Sequence, residues 1–183
     1  KTVDDTGREL TMMEYNMTAF MEQCVEKCRQ VTGYTGEFPK APTPFLYTEQ
    51  GKNEASGGVM QPDDLADEEQ ADRGELADVA SKVLMKILYA ARMARYDLLR
   101  AVQGLARYFT NWSRRNDSEL FRLVCYLYHS RNRRMRAWVG DEIEDCEPYI
   151  FSDSDFAGCP DTQRSTSGMY MCIGGSNTSF PIC

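Results

Sequence analysis

The sequence predicts an α+β fold, a helical region followed by a partial antiparallel sheet, and three observations predict it. Apolar residues recur at spacings of three and four over residues 10–30 and again over 76–127. A polar, proline-containing passage separates those two stretches. After the basic run RNRRMR the apolar period drops to two.

The first periodic stretch, LTMMEYNMTAFMEQCVEKCRQ, places Met13, Met17, Phe20, Met21, Cys24, Val25 and Cys28 on one helical face, and Gly33 is a natural stop. Three prolines and several glycines in the next passage favour extended chain over a surface. Residues 48–73 are polar and acidic, which predicts a flexible connector or an acidic lead into the next helix. Three helical stripes follow, from Leu76 to Ala91, from Leu98 to Phe109 and from Leu120 to Leu127, the last capped by Asp117 or Ser118. Short amphipathic helices in series bury their stripes against each other. PYIFSDSDF and GMYMCI then alternate, and Gly174-Gly175-Ser176-Asn177 supplies a turn before TSFPI. The chain thus divides into 1–47, a helical segment with a Pro-rich extension; 48–73, the linker; 74–137, a basic three-helix region; and 138–183, three strands.

The net charge of −7 conceals strong segmentation: −10 over residues 1–80, +10 over 81–140 and −7 over 141–183. A basic block of this kind predicts either a polyanion-binding surface or pairing with its acidic flanks. Eleven arginines lie between residues 92 and 136, Arg95 among them, interleaved with Tyr108, Trp112, Tyr126 and Tyr128. Arg114, Arg115, Arg131, Arg133, Arg134 and Arg136 are the candidates for phosphate contacts, because guanidinium groups bind phosphate bidentately. Seven scattered cysteines predict buried thiols in a reducing, intracellular compartment, cytoplasm or nucleus, rather than a disulfide framework. With a single histidine, His129, the chain lacks the ligands of a zinc site, and that histidine is expected on the surface or in the core. No apolar run reaches the ~18 residues of a membrane-spanning helix.

In FSDSDFAG, Asp153 and Asp155 stand two apart in a strand pattern and so share one predicted face. Paired carboxylates suit a divalent cation, and a solvated strand end suits them equally. Asp161 reads as a turn residue.

The order Ser152-Asp153-Ser154-Asp155-Phe156-Ala157-Gly158, then Arg164-Ser165-Thr166-Ser167-Gly168, then Gly174-Gly175, resembles the start of the ribonuclease H domain in copia-type LTR retrotransposon polyproteins. That family's pattern is close to Y-S-D-A-D-W-A-G, then K-S-T-S-G, then G-G. ILYAARMARYDLLRAVQGLARYF is similar to the stretch linking polymerase to ribonuclease H in those polyproteins. ELFRLVCYLYHS resembles the helix that follows, and PKAPTPF a short V-x-T-P-M element upstream. Tyr96 replaces the family's helix-opening proline and Phe156 its strand tryptophan.

The resemblance implies a helical thumb and connection region followed by a truncated ribonuclease H-like sheet. It makes Asp153 a catalytic ligand of paired Mg²⁺ ions, in a site whose remaining carboxylates lie outside this sequence. It also implies an RNA/DNA hybrid as partner. The chain then reads as a fragment of a reverse transcriptase/ribonuclease H, incomplete for catalysis alone. The alternative is a non-catalytic structural or interaction subunit, with a protein partner covering the sheet edge left open after TSFPIC.

Overall fold

The computed structural model describes residues 1–3, 5–46, 73–156 and 165–182. The expected linker 48–73, apart from Arg73, and Asp161 and Arg164 lie outside the described residues. The chain forms two compact units, Met17–Arg133 and a second built from Lys1–Asn16 with Arg134–Cys183. Where the sequence placed its boundaries at 47, 73 and 137, the chain divides at 16 and 133.

The first unit is helical. Helix α1, Thr18–Thr32, buries Met21, Cys24, Val25 and Cys28 and ends at Gly33, whose φ of 67° lets its N–H reach the Arg29 carbonyl at 2.8 Å. Helix α2, Ala80–Met93, buries Val83, Leu84, Ile87 and Ala91 on one stripe. A 3₁₀ turn at Tyr96–Leu98 leads into helix α3, Leu99–Ala106, and helix α4 spans Arg114–Ser130. Helix α1 packs on α2 and α4, and α3 on both α2 and α4. The core closes around Leu84, Ile87, Leu98, Val102, Leu120 and Leu127, with Phe38 of the Pro-rich extension covering one end. Burial of a stripe this continuous, at roughly 1.5–3 kcal/mol per large side chain, dominates the unit's stability.

Helix α4 starts earlier than expected. Its N-cap is Ser113, whose N–H donates to Asn116 Oδ1 at 3.0 Å in a capping box. Asp117, an expected cap, instead accepts from the backbone of Glu75 (2.7 Å) and Leu76 (3.2 Å) and from Trp112 Nε1 (2.7 Å), so it fastens the 74–76 turn to α4.

The second unit is a six-stranded antiparallel sheet. Its strands are β1 (Thr2–Val3), β2 (Glu9–Tyr15), β3 (Met135–Val139), β4 (Glu147–Ser154), β5 (Ser167–Gly174) and β6 (Ser179–Pro181), in the order β1-β2-β3-β6-β5-β4. An α+β class therefore holds, with four helices and six strands among the described residues. The three expected strands are β4, β5 and β6, and β1, β2 and β3 join them. Residues 9–15 correct the expected helical start at residue 10, since Thr11 to Tyr15 pair residue for residue with Val139 to Met135. Helix α1 begins only at Thr18.

Candidate functional site

Cross-strand partners share a face of the sheet, so the register assigns each side chain. Tyr149, Phe151, Tyr170 and Asp153 stand on one face of the β4–β5 hairpin, and Ile150, Met169, Met171 and Ile173 on the other. Tyr149 and Phe151 stack at 6.5 Å, and Phe151 meets Tyr170 at 6.1 Å. Both faces are uncovered: Ile150 is 63% exposed, Phe151 57% and Met169 66%. Strands that carry apolar residues on both faces belong to sheets buried on both.

Asp153 lies on β4, an edge strand whose every residue is exposed. Its Oδ1 accepts the next backbone N–H, that of Ser154, at 2.8 Å. Asp155 is already past the strand. Its N–H donates to the Thr166 carbonyl at 3.2 Å, and its Oδ1 accepts from the Thr166 N–H, extending the β4–β5 pairing by one step. The expected pairing of the two carboxylates on one strand face is thus replaced by a split of roles. Among the described residues no three His, Cys, Asp or Glu side chains gather as a metal site. Asp153 alone does not fit a clamp for paired Mg²⁺ ions, which takes several carboxylates to hold two metals about 4 Å apart.

The open edge also differs from expectation. Strand β6, from TSFPI, lies between β5 and β3, pairing Ser179 with Trp138, so among the described residues the free edges belong to β4 and β1.

The six candidate arginines fall in both units. Arg134 and Arg136 of the sheet unit both bind Glu14, Arg136 at 3.0 Å, and these bonds, Arg134's first, hold the Glu14 carboxyl below its ordinary range. In the helical unit Arg131 donates to the Tyr128 carbonyl, lies over the Tyr128 ring at 4.6 Å and faces Glu22 at 3.7 Å. Arg133 donates to Tyr126 Oη at 2.6 Å and lies 3.8 Å from Asp97. Arg115 pairs with Glu119 at 3.0 Å one turn along α4, and Arg114 is exposed. Five of the six therefore lie within ion-pair reach of a carboxylate of the protein itself, although exposed pairs of this kind are worth little and exchange readily for phosphate.

Arg95, read from sequence among the polyanion-facing arginines, is only 2% exposed. Its Nε and Nη2 reach Asp97 Oδ1 and Oδ2, each at 2.9 Å, while Nη1 and Nη2 donate to the Ser130 carbonyl (3.0 Å) and Oγ (2.7 Å). Tyr126 Oη donates to Asp97 at 2.7 Å. Burial pulls the Asp97 carboxyl upward, but the bonds from Arg95 and Tyr126 and the charges of Arg95 and Arg133 outweigh it, leaving its pKa lowered. Burial, then the bond to Asp97, pushes the Tyr126 phenol up. This network joins the α2–α3 connection to the end of α4. The one local signal that could have found it is the Arg95-x-Asp97 spacing; Tyr126 stood out only as an aromatic among the arginines, and Ser130 carries no signal.

His129, expected on the surface or in the core, is exposed, and its Nε2 lies 2.8 Å from the Phe38 carbonyl. No helix of the described residues is long and apolar enough to cross a membrane. Comparison with family models, with curated proteins and with solved structures gives no match.

Proposed function

We propose that the chain is a non-catalytic portion of a reverse transcriptase/ribonuclease H of the copia type, contributing to the holding of an RNA/DNA hybrid. One observation carries the reading: the Asp153-bearing strand is an open edge strand with bare apolar side chains on both faces. A sheet in that condition needs further strands and covering layers, and a nuclease built on it needs further carboxylates. In such a completed domain Asp153 would be the Mg²⁺ ligand. Hybrid binding draws on the +10 excess of residues 81–140, with Arg114 and Arg115 exposed at the start of α4.

Fluorescence anisotropy with a labelled RNA/DNA hybrid tests the binding. Contacts to four phosphates give a plot of log affinity against log salt with a slope of about −3 to −4, and Arg114→Gln with Arg115→Gln flattens it by about two. Binding that ignores salt removes the hybrid from the reading.

A second reading, an interaction subunit, is favoured by the acidic residues beside the bare hairpin, Glu142, Glu144, Asp145 and Glu147, which oppose nucleic acid there and suit a basic protein partner. Native mass measurement of the chain isolated with its companions separates the two: stoichiometric protein partners support the subunit.

A further inference from the structure

The helical unit contains a cavity of about 330 Å³ that only Arg133, of the sequence-predicted arginines, reaches. The Pro-rich extension forms one wall with Lys40, and the end of α4 and its turn form the other with Tyr126, His129, Ser130, Asn132 and Arg133. Its size is at the low end for ligand sites, which are mostly apolar. Its lining is likewise apolar over the larger part, with Ala41 and Pro42 beside it, but the polar groups it presents are cations and neutral hydrogen-bonding groups, and no acidic residue lines it.

The charge balance around it is positive. Arg133 and Arg95 share one carboxylate, Asp97, so two guanidinium groups face a single negative charge. Lys40 adds a further cation, is exposed, and has no hydrogen-bond or ion-pair partner among the described residues. A helix C-terminus ordinarily repels anions, but here the Ser130 carbonyl is taken by Arg95 and the Tyr128 carbonyl by Arg131. Neutral donors stand ready too. Ser130 Oγ accepts from Arg95 at 2.7 Å, which leaves its own hydrogen free to donate, and the Asn132 amide is exposed. Tyr126 is buried, 4% exposed, and its ring carries Arg133 at 5.4 Å, so it offers no stacking platform for a base.

We infer that this cavity binds a phosphate group, held between the Lys40 ammonium and the Arg133 guanidinium with Ser130 and Asn132 donating. Both a free phosphate and a phosphodiester of nucleic acid carry that chemistry. The inference stands apart from hybrid binding at Arg114 and Arg115.

The test is an amide-shift titration of the full chain at constant ionic strength, with inorganic phosphate in one series and a short single-stranded DNA in another. The expected result is a saturable shift at Lys40, Asn132 and Arg133 with phosphate. Lys40→Ala weakens it about tenfold, the loss of one charge-assisted contact, and Asn132→Asp abolishes it. Both positions are exposed, so neither variant threatens the fold. A matching loss with DNA assigns the phosphodiester as source; a response to phosphate alone assigns a free phosphate. No saturable shift with tens of millimolar phosphate overturns the inference. So does a phosphate shift that neither variant weakens, an outcome that would leave hybrid binding at α4 intact.

Discussion

Replacing Asp97 by Asn should unfold the helical unit first. The carboxylate receives two bonds from Arg95 at 2.9 Å and one from Tyr126 at 2.7 Å, and Arg133 stands 3.8 Å away. An amide keeps one acceptor oxygen but turns an N–H₂ toward other donors, and it strands the Arg95 guanidinium, 2% exposed, without a counter-charge. Breaking a buried pair from one side costs about 3–5 kcal/mol. Because the Asp97 side chain is 32% exposed, the low end applies, about 3 kcal/mol. With a urea m-value of about 1.5 kcal/mol/M, the midpoint falls by about 2 M. The assay is tryptophan fluorescence: the chain has two tryptophans, buried Trp112 in the helical unit and Trp138 in the sheet, so a Trp138→Phe background reports the helical unit alone. The pH dependence has a fixed sign. A carboxyl whose folded pKa is depressed stabilises fully above its unfolded value, about 3.9, and that contribution drains as pH falls through the folded value. Parent and variant should therefore converge in acid. A midpoint shift under about 0.3 M at pH 7, well below the expected effect, or a gap that persists undiminished in strong acid, refutes the network's role.

Three further outcomes are expected. Burial pushes the Cys24 thiol to about 11 and raises Cys28 and Cys125 as well. At pH 8 native Cys24 should alkylate about a hundredfold more slowly than in guanidinium, because only the thiolate reacts, and peptide mass spectrometry reads this site by site. Gly74→Ala should destabilise the helical unit by about 1–3 kcal/mol, since a Cβ there would lie 2.5 Å from the Ser113 carbonyl oxygen. Gly104→Ala, inside α3 with nothing within 4 Å of its Cβ position, should gain about 0.5–1 kcal/mol; urea midpoints of the two variants moving the same way would contradict the packing argument.

The helical core was legible in the sequence because its stripes run uninterrupted at one period, from Leu76 to Ala91 and from Leu120 to Leu127. The turn at Gly174–Asn177 and the strands beside it were legible for the same reason at period two. What stayed hidden had no local signature. LTMMEY carries apolar residues compatible with either period, and its strand state follows from pairing with β3, more than a hundred residues away. MRAWV is only five residues long and was masked by the arginines before it. Arg95 looked like its exposed neighbours because burial of a charge is decided by the partner, and the partner group at Ser130 lies thirty-five residues on. The candidate site was legible residue by residue but not as an assembly: Asp153 stands on a strand and Arg114 and Arg115 on a helix, where the patterns placed them, whereas Arg134 and Arg136, read as part of the helical region, belong to the sheet unit, and the internal pairings were not readable.

The two aspartates of FSDSDFAG offer a sharper distinction than any motif. Asp155 both donates and accepts across the end of the hairpin to Thr166, whereas the Asp153 side chain, among the described residues, bonds only to the adjacent backbone N–H, of Ser154, and is exposed on an edge strand. Asp155→Ala should therefore loosen the hairpin end, losing a hydrogen bond to a charged acceptor worth about 1.5–3 kcal/mol locally. Hydrogen exchange at the Thr166 amide should then accelerate at least about tenfold, since 1.4 kcal/mol is a factor of ten. Asp153→Ala should leave exchange and stability within about 0.5 kcal/mol of the parent. That asymmetry bears on function: a carboxylate engaged in holding a loop has a structural reason to be there, and one that does nothing for the fold has none. If Asp153→Ala instead slows or speeds exchange along β4 as strongly as the Asp155 change does at Thr166, Asp153 is a structural residue and the case for it as a ligand loses its physical basis.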